Sequence, residues 1–453
     1  MGVTPFNLQC LGCEFVMQIQ SVQFLVEEGG QSDVALQSLT IVSIFGRGLG
    51  SKQFLRIGLQ IRRCPRYHVN SIILSCKKKG NVSAFYIRNL YFCLTKMGLS
   101  QSKRSIGTDC GRLEEWMTLL RKDIREHVPI IHLAIPGSHN SMTFKITRKS
   151  KLAPDAEKVV QRVYKCLPWF IAKWAKTQSY TTTDQLKFGI RFFDLRISQK
   201  ETTDIEDRYY IVHGLFSTPM ESEMREIKTF LDQHPGELVI LDFQHFYEIS
   251  CDDHDIIHTF LTNLFGDKIL TMNDGPLTEL TLDKAYKLRK QLLIVYRSAY
   301  NSIYYWPGAY FPTPWPNTAK LKVLKEFLVK SLQNRSMDYG WITQCVLTPD
   351  SKYIVLRPRS NLELTAKKVW NYLDDWIKAQ TPGSLDNGST ECVNILIADF
   401  VNIKNSSFIS TVVDLNNKIP YQDAPAERIQ KDSKIYPDKE KLLNGIIEEY
   451  LPY

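Results

Sequence analysis

The chain has 453 residues, 43% of them hydrophobic and 23% charged, with a formal net charge of +9. That composition suits a globular protein with a large core and argues against wholesale disorder or a fibrous repeat. The charge is uneven: residues 1–97 hold 11 of the 57 Lys and Arg but only 4 of the 48 Asp and Glu, so the remainder is nearly neutral and lacks the basic body of a nucleic-acid binder.

Residues 1–97 show no sustained period of 2 or 3.6 and are read as an irregular N-terminal extension. Cys10 and Cys13 form one CxxC, but no second pair follows at zinc-finger spacing, and the ten cysteines show no disulfide framework. No apolar run reaches the ~18 residues that a membrane span needs, and no basic start with an apolar core opens the chain. The expectation is an intracellular, cytoplasmic protein. Met97 begins "MGLSQSKRS", which fits an N-myristoylation pattern with Lys103 and Arg104 as an electrostatic second signal, so a start at Met97 is a hypothesis.

From about residue 110 short β-rich runs alternate with amphipathic stretches of 10–20 residues, the pattern of strand-helix units around a parallel sheet. In chain order the candidate strands are "IIHLAI", "IRFFDLRI", "YYIVHG", "ELVILDF", "LLIVYR", "WITQCVL" and "VNILIADF". Helical patterns such as "MESEMREIKTFLDQH" and "LELTAKKVWNYLDDWIKAQ" lie between them. This predicts an α/β fold, a distorted TIM-like (β/α)8 barrel over 110–418, followed by a charged tail over 419–453. An open doubly wound sheet would carry a Gly-rich phosphate loop after its first strand, and "IPGSHNS" is not one.

Barrel chemistry collects at the C-terminal ends of the strands. There His139 follows the first run after a Pro-Gly turn, Asp194 and Arg196 close the second, His213 the third, Gln244 the fourth, Arg297 the fifth and Asp399 the last. Each has a bland alternative: a turn histidine, an Asp194–Arg196 salt bridge within the barrel, a capping carboxylate at Asp399. Together they supply a base, an acid, a fixed cation and orienting carboxylates, the set needed for phosphoryl transfer without a metal. His68, His127, His132, His234, His254 and His258 lack such context and read as surface or structural residues.

"LAIPGSHNSMTF", "QLKFGIRFFDLRI", "YIVHGLF", "ELVILDFQHF", "WPGAYFPTPWPNT" and "NILIADFV" occur in order, and on these the chain resembles the phosphatidylinositol-specific phospholipase C X-domain-containing proteins. The resemblance implies a barrel that cleaves phosphatidylinositol at a membrane surface to diacylglycerol and inositol phosphate through a cyclic 1,2-phosphate. It implies His139 as general base oriented by Asp399, His213 as general acid, Arg196 on the phosphate, and Asp194 orienting the histidine and arginine. Arg297 and Gln244 fall where relatives contact inositol.

The calcium-dependent phospholipases C resemble the chain at the first histidine but carry acidic residues matching Asp194 and Arg196. A guanidinium at 196 would repel the ion, so neither metal nor other cofactor is expected. Most close relatives carry Asp where this chain has Asn140, and an amide is a weaker partner for a protonating His213. Gln244 stands where bacterial relatives have Lys and calcium enzymes Glu. The aromatic run 304–318 is expected on the active rim, with some rings at the lipid interface as in a peripheral membrane protein. Two other readings remain: a phosphoinositide-binding module with little turnover, favoured by Asn140, and a metal-dependent glycerophosphodiesterase, which would show HRG after the first strand instead of HNS.

Overall fold

The computed structural model describes residues 113–200, 208–383 and 391–421, together with seven short strands between Phe6 and Tyr86. The chain forms two compact units, Met1–Arg104 and Ser105–Tyr453. In the first, the strands pair antiparallel: Phe6–Cys10 with Cys13–Met17, Val22–Leu25 with Ser38–Ile41, and Ser71–Lys78 with both Ile57–Arg62 and Asn81–Tyr86. The side chains of Cys10 and Cys13, the myristoylation pattern at 97–104 and residues 422–453 lie outside the described residues.

The second unit is a curled α/β sheet. Its strands are β1 (Ile135–Ser138), β2 (Phe192–Gln199), β3 (Tyr209–Val212), β4 (Phe216–Pro219), β5 (Val239–Tyr247), β6 (Leu292–Tyr296), β7 (Trp306–Pro307), β8 (Ile342–Gln344) and β9 (Ile395–Ala398). The parallel order is β7-β6-β5-β2-β1-β9-β8. The stretch after β7 approaches β8 and curls the sheet into a distorted barrel, with Gly340 N–H donating to Tyr310 O (3.0 Å) and Ile342 N–H to Pro312 O (2.9 Å). Phe192, Phe193, Leu195, Val239 to Leu241, Leu292 to Val295 and Ile395 to Ile397 are all buried. Covered on both faces, these strands read as continuous apolar runs instead of alternating ones. Each such side chain contributes about 1.5–3 kcal/mol.

Helices pack outside. Met220–Gln233 buries Met220, Met224, Ile227, Phe230 and Leu231, one stripe at helical spacing. Cys251–Phe265 starts at a capping box in which Ser250 Oγ accepts from Asp253 N–H and Asp253 Oδ2 from Ser250 N–H. Asn361 Oδ1 caps Leu362–Ala379 by accepting from Leu364 N–H at 2.7 Å.

Two expectations change. The run "IIHLAI" is not the first strand: Ile130–His132 is a 3-10 turn, and the strand is Ile135–Ser138, so Pro136 and Gly137 are strand residues and no Pro-Gly turn exists. Pro136 fits because its ladder with β2 begins only at Gly137, so no N–H is missed. Gly137 fits because a Cβ there would meet Ile397 Cγ2 and Phe192 Cδ1 at 2.8 Å. "YYIVHG" is no parallel barrel strand either. β3 pairs antiparallel with the end of β2, which outruns β1, and turns back into β4.

Candidate active site

His139 follows β1 directly, its N–H donating to Ala398 O (3.1 Å), which sets it beside the end of β9. There Asp399 Oδ1 lies 2.7 Å from His139 Nδ1. Both strand ends are held by Gln178, whose Nε2 donates to His139 O and Ala398 O at 2.9 Å each while its Oε1 accepts from Val401 N–H. With Nδ1–H given to Asp399, the Nε2 lone pair faces the cup. Asn140 Nδ2 lies 3.2 Å from it and Asp194 Oδ2 3.8 Å. The ring is only 13% exposed.

The backbone here is bent. Asn140 and Phe400, each following a site residue, have φ of 43° and 49°. Asn tolerates that left-handed region and Phe does not, so the turn after Asp399 stores strain of order 1–3 kcal/mol. It is held by Phe400 N–H on Thr177 O (2.7 Å) and Thr177 Oγ1 on Asn140 O (2.8 Å).

Asp194 and Arg196 sit within β2 instead of closing it. They do not make the salt bridge that the bland reading expects. Asp194 Oδ2 accepts from Asn140 N–H (3.0 Å), while Asp194 Oδ1 and Arg196 Nε are buried without a hydrogen-bond partner among the described residues. Arg196 faces β5, its guanidinium acting electrostatically on the Tyr247 hydroxyl there. His213 sits in the β3–β4 turn, opened by Gly214 at φ 67°, with Nδ1 2.7 Å from Ala175 O. Burial pushes His213 below the usual imidazole range, and the Arg196 guanidinium pushes it further.

Gln244 and Arg297 are brought to the same rim but converge on Asp242. Gln244 Nε2 donates to Asp242 Oδ2 (2.8 Å), and Arg297 Nε and Nη2 donate to Asp242 Oδ1 and Oδ2 (2.8 and 2.9 Å). The guanidinium also donates to Gly308 O and Phe311 O, clamping the aromatic stretch after β7. Asp242 is fully buried, and burial raises its carboxyl. Across the aromatic run 304–318 Tyr305, Trp306 and Phe311 are buried, while Tyr304 and Trp315 are about half exposed.

The sequence reading misses His245, Tyr247, Asp242 and Gln178. Strict alternation after Gln244 would turn His245 outward. A bulge between Phe243 and His245 instead sets His245 opposite Arg196 and Tyr247 opposite Ser198. His245 keeps an open edge, yet desolvation and then the Arg196 guanidinium push its ring down to about 4. Gln178 and Asp242 carried no signal beyond polarity next to apolar runs. The cup thus holds an oriented imidazole, a second imidazole, a half-buried guanidinium whose Nε has no partner among the described residues, and a buried carboxylate with one oxygen in the same condition.

Residues 171–298 match the family model described as phosphatidylinositol-specific phospholipase C, X domain. The chain is 35% identical over 328 residues to mouse PI-PLC X domain-containing protein 3, covering 71% of this chain and 97% of that protein. It is 34% identical over 309 residues to mouse PI-PLC X domain-containing protein 2, covering 67% and 87%. Solved structures that resemble it include phosphatidylinositol-specific phospholipase C of Staphylococcus aureus (15% identity, TM-score 0.48, 68% of this chain and 99% of that one). Another is the enzyme of the same description from Listeria monocytogenes (17%, 0.45, 66% and 98%). With its barrel and with relatives matched nearly end to end, the chain belongs to the family of PI-PLC X domain-containing proteins.

Proposed function

We propose that the barrel is a phospholipase C that cleaves phosphatidylinositol by acid-base catalysis without a metal. The observation that carries this is the His139–Asp399 contact of 2.7 Å, which aims Nε2 into a cup shared with Arg196 and His213. His139 Nε2 takes the proton of the inositol 2-hydroxyl, whose oxygen attacks phosphorus. The bond to the diacylglycerol oxygen breaks as His213 gives that oxygen a proton, leaving inositol cyclic 1,2-phosphate. In the slower second step His213 takes a proton from water, whose oxygen attacks phosphorus, and His139 returns its proton to the inositol 2-oxygen as that bond breaks, leaving inositol 1-phosphate with both histidines reset. Arg196 meets the charge on the phosphate oxygens, the role a cation would otherwise fill, with Asp194 holding the loop that carries Asn140. The test is release of water-soluble inositol phosphates from phosphatidylinositol vesicles in excess EDTA. The expected result is turnover in the natural protein and a loss of about 10⁴-fold in His139→Ala; turnover that vanishes with EDTA and returns with calcium would refute the metal-free mechanism.

One observation favours a second reading, a phosphoinositide-binding module with little turnover: the Asn140 amide engages the His139 Nε2 that must act as base. A large activity gain in Asn140→Asp would mark the natural protein as such a module.

This reading includes peripheral, cytoplasmic membrane contact, supported by two features of the barrel unit. Residues 145–176 hold nine Lys and Arg against two Asp and Glu, and Val159, Val163, Leu167 and Trp169 are exposed among them. Tyr304 and Trp315 are exposed after β6. Trp315→Ala should weaken binding to phosphatidylinositol vesicles with stability unchanged within about 0.5 kcal/mol. Trp306, buried at 1% exposure with Nε1 on Leu270 O, is not a lipid contact.

A further inference from the structure

The resemblance pairs residue 140 with His213, but the Asn140 amide lies against the other histidine, His139. A different carboxylate is fixed at the turn that carries His213. Residues 151–155 run alongside the β3–β4 turn: Phe216 N–H donates to Lys151 O (3.0 Å), Leu152 pairs antiparallel with Leu215, and Ala153 N–H donates to Gly214 O (3.1 Å). This brings Asp155 Oδ2 to 2.7 Å from the N–H of Gly214, the amide that follows His213. Asp155 Oδ1 is buried and has no hydrogen-bond partner among the described residues. Such an oxygen costs about 1–3 kcal/mol unless a charge faces it.

We propose that Asp155 is the positioning carboxylate of His213: one oxygen fixes the turn at Gly214, and the other supplies the negative charge that supports the imidazolium. Four groups act on the His213 ring. Arg196 from β2 and His139 from the end of β1 disfavour its protonation, while Asp155 and the Ala175 carbonyl favour it. Tyr247 from β5 is acted on by both Arg196 and the same carboxylate. Asp155 thereby stands in for the carboxylate absent at position 140, from the stretch between β1 and β2 that pairs with the β3–β4 turn.

The catalytic consequence rests on His213 being the proton donor; the electrostatic pairing does not. The experiment is therefore an NMR titration of the full chain labelled with 15N-histidine, which needs no turnover. Asp155→Asn keeps an oxygen for Gly214 N–H but removes the charge, and should lower the His213 midpoint by about half a pH unit or more with His139 unmoved. Asn140→Asp should move His139 and leave His213 in place. In the natural protein the Asp155 side-chain carbonyl carbon should step in chemical shift at the His213 midpoint, a readout that needs no variant to fold. A flat carbon signal, an unmoved His213 in Asp155→Asn, or a His213 that answers to Asn140→Asp would overturn the proposal. If the protein cleaves phosphatidylinositol, Asp155→Asn should also move the alkaline limb of kcat/KM to lower pH with KM little changed. Absence of turnover would count against the phospholipase reading while the titrations still judged Asp155.

Discussion

Two arginines five residues apart divide the barrel into a floor and a mouth. Arg191, just before β2, is fully buried and spends its guanidinium inside the protein. Nε and Nη2 donate to Glu237 Oε2 (3.0 and 2.8 Å), Nη1 to Leu186 O and Ile190 O, and Nη2 also to Glu114 O. Glu237 in turn accepts from Met117 N–H, Thr118 N–H and Thr118 Oγ1. Arg196, inside β2, keeps a buried Nε without a partner among the described residues, and so do one oxygen of Asp194 and the side-chain oxygen of Asn140. A saturated buried network serves stability and specificity of the fold. An unsaturated one costs stability and is kept where something else completes it. The mouth and the floor are built from the same residue types, and their degree of saturation tells them apart.

The sharpest way to break that contrast is to truncate both arginines alike. Arg191→Met strands the Glu237 carboxylate and should cost about 3–5 kcal/mol of unfolding free energy in urea. The surviving folded fraction should keep its activity. Arg196→Met should leave the urea midpoint in place and lower kcat on phosphatidylinositol about 10²–10³-fold. Equal destabilisation by both would erase the distinction.

A second test lies in pH. His213 is held below its usual range, first by burial and then by Arg196, so it carries its proton only on the acid side of ~6.5. As the donor, it should make kcat/KM fall as pH rises through that depressed midpoint. Arg196→Met removes the second cause and should shift this limb to higher pH in the residual activity, and a stationary limb would separate the two residues. The smallest effect concerns the strand beneath the mouth. Gly137→Ala should cost about 1–3 kcal/mol by thermal unfolding, because its Cβ would press Ile397 and Phe192 at 2.8 Å. A glycine in an open turn at negative φ would accept Ala freely.

Much of the barrel was legible in the sequence because its strands are buried on both faces and so stand out as apolar runs, as in "ELVILDF" and "VNILIADF". His139 and Asp399 could be placed because each directly follows such a run. The first strand was mistaken because "IIHLAI" is more apolar than "IPGS", although only the latter lets β2 and β9 close in on a residue without a side chain. His245 was missed because period-2 counting assumes an unbroken ladder, and the β5 bulge breaks it. That Asp242 would hold both Arg297 and Gln244 left no local trace in the sequence.

By itself the sequence determined the alternation of strands and helices, the order of the motifs and the residue types at the rim, because hydrophobic period and turn chemistry are local. The tertiary structure alone decided which polar atoms meet. His139 and Asp399, 260 residues apart, meet because β1 and β9 are neighbours in the sheet, and Asp155 reaches the Gly214 amide next to His213 because a loop runs beside a hairpin 59 residues onward. Such pairings depend on which strands adjoin and where the ladder slips, and those follow from packing the whole core instead of from any one segment.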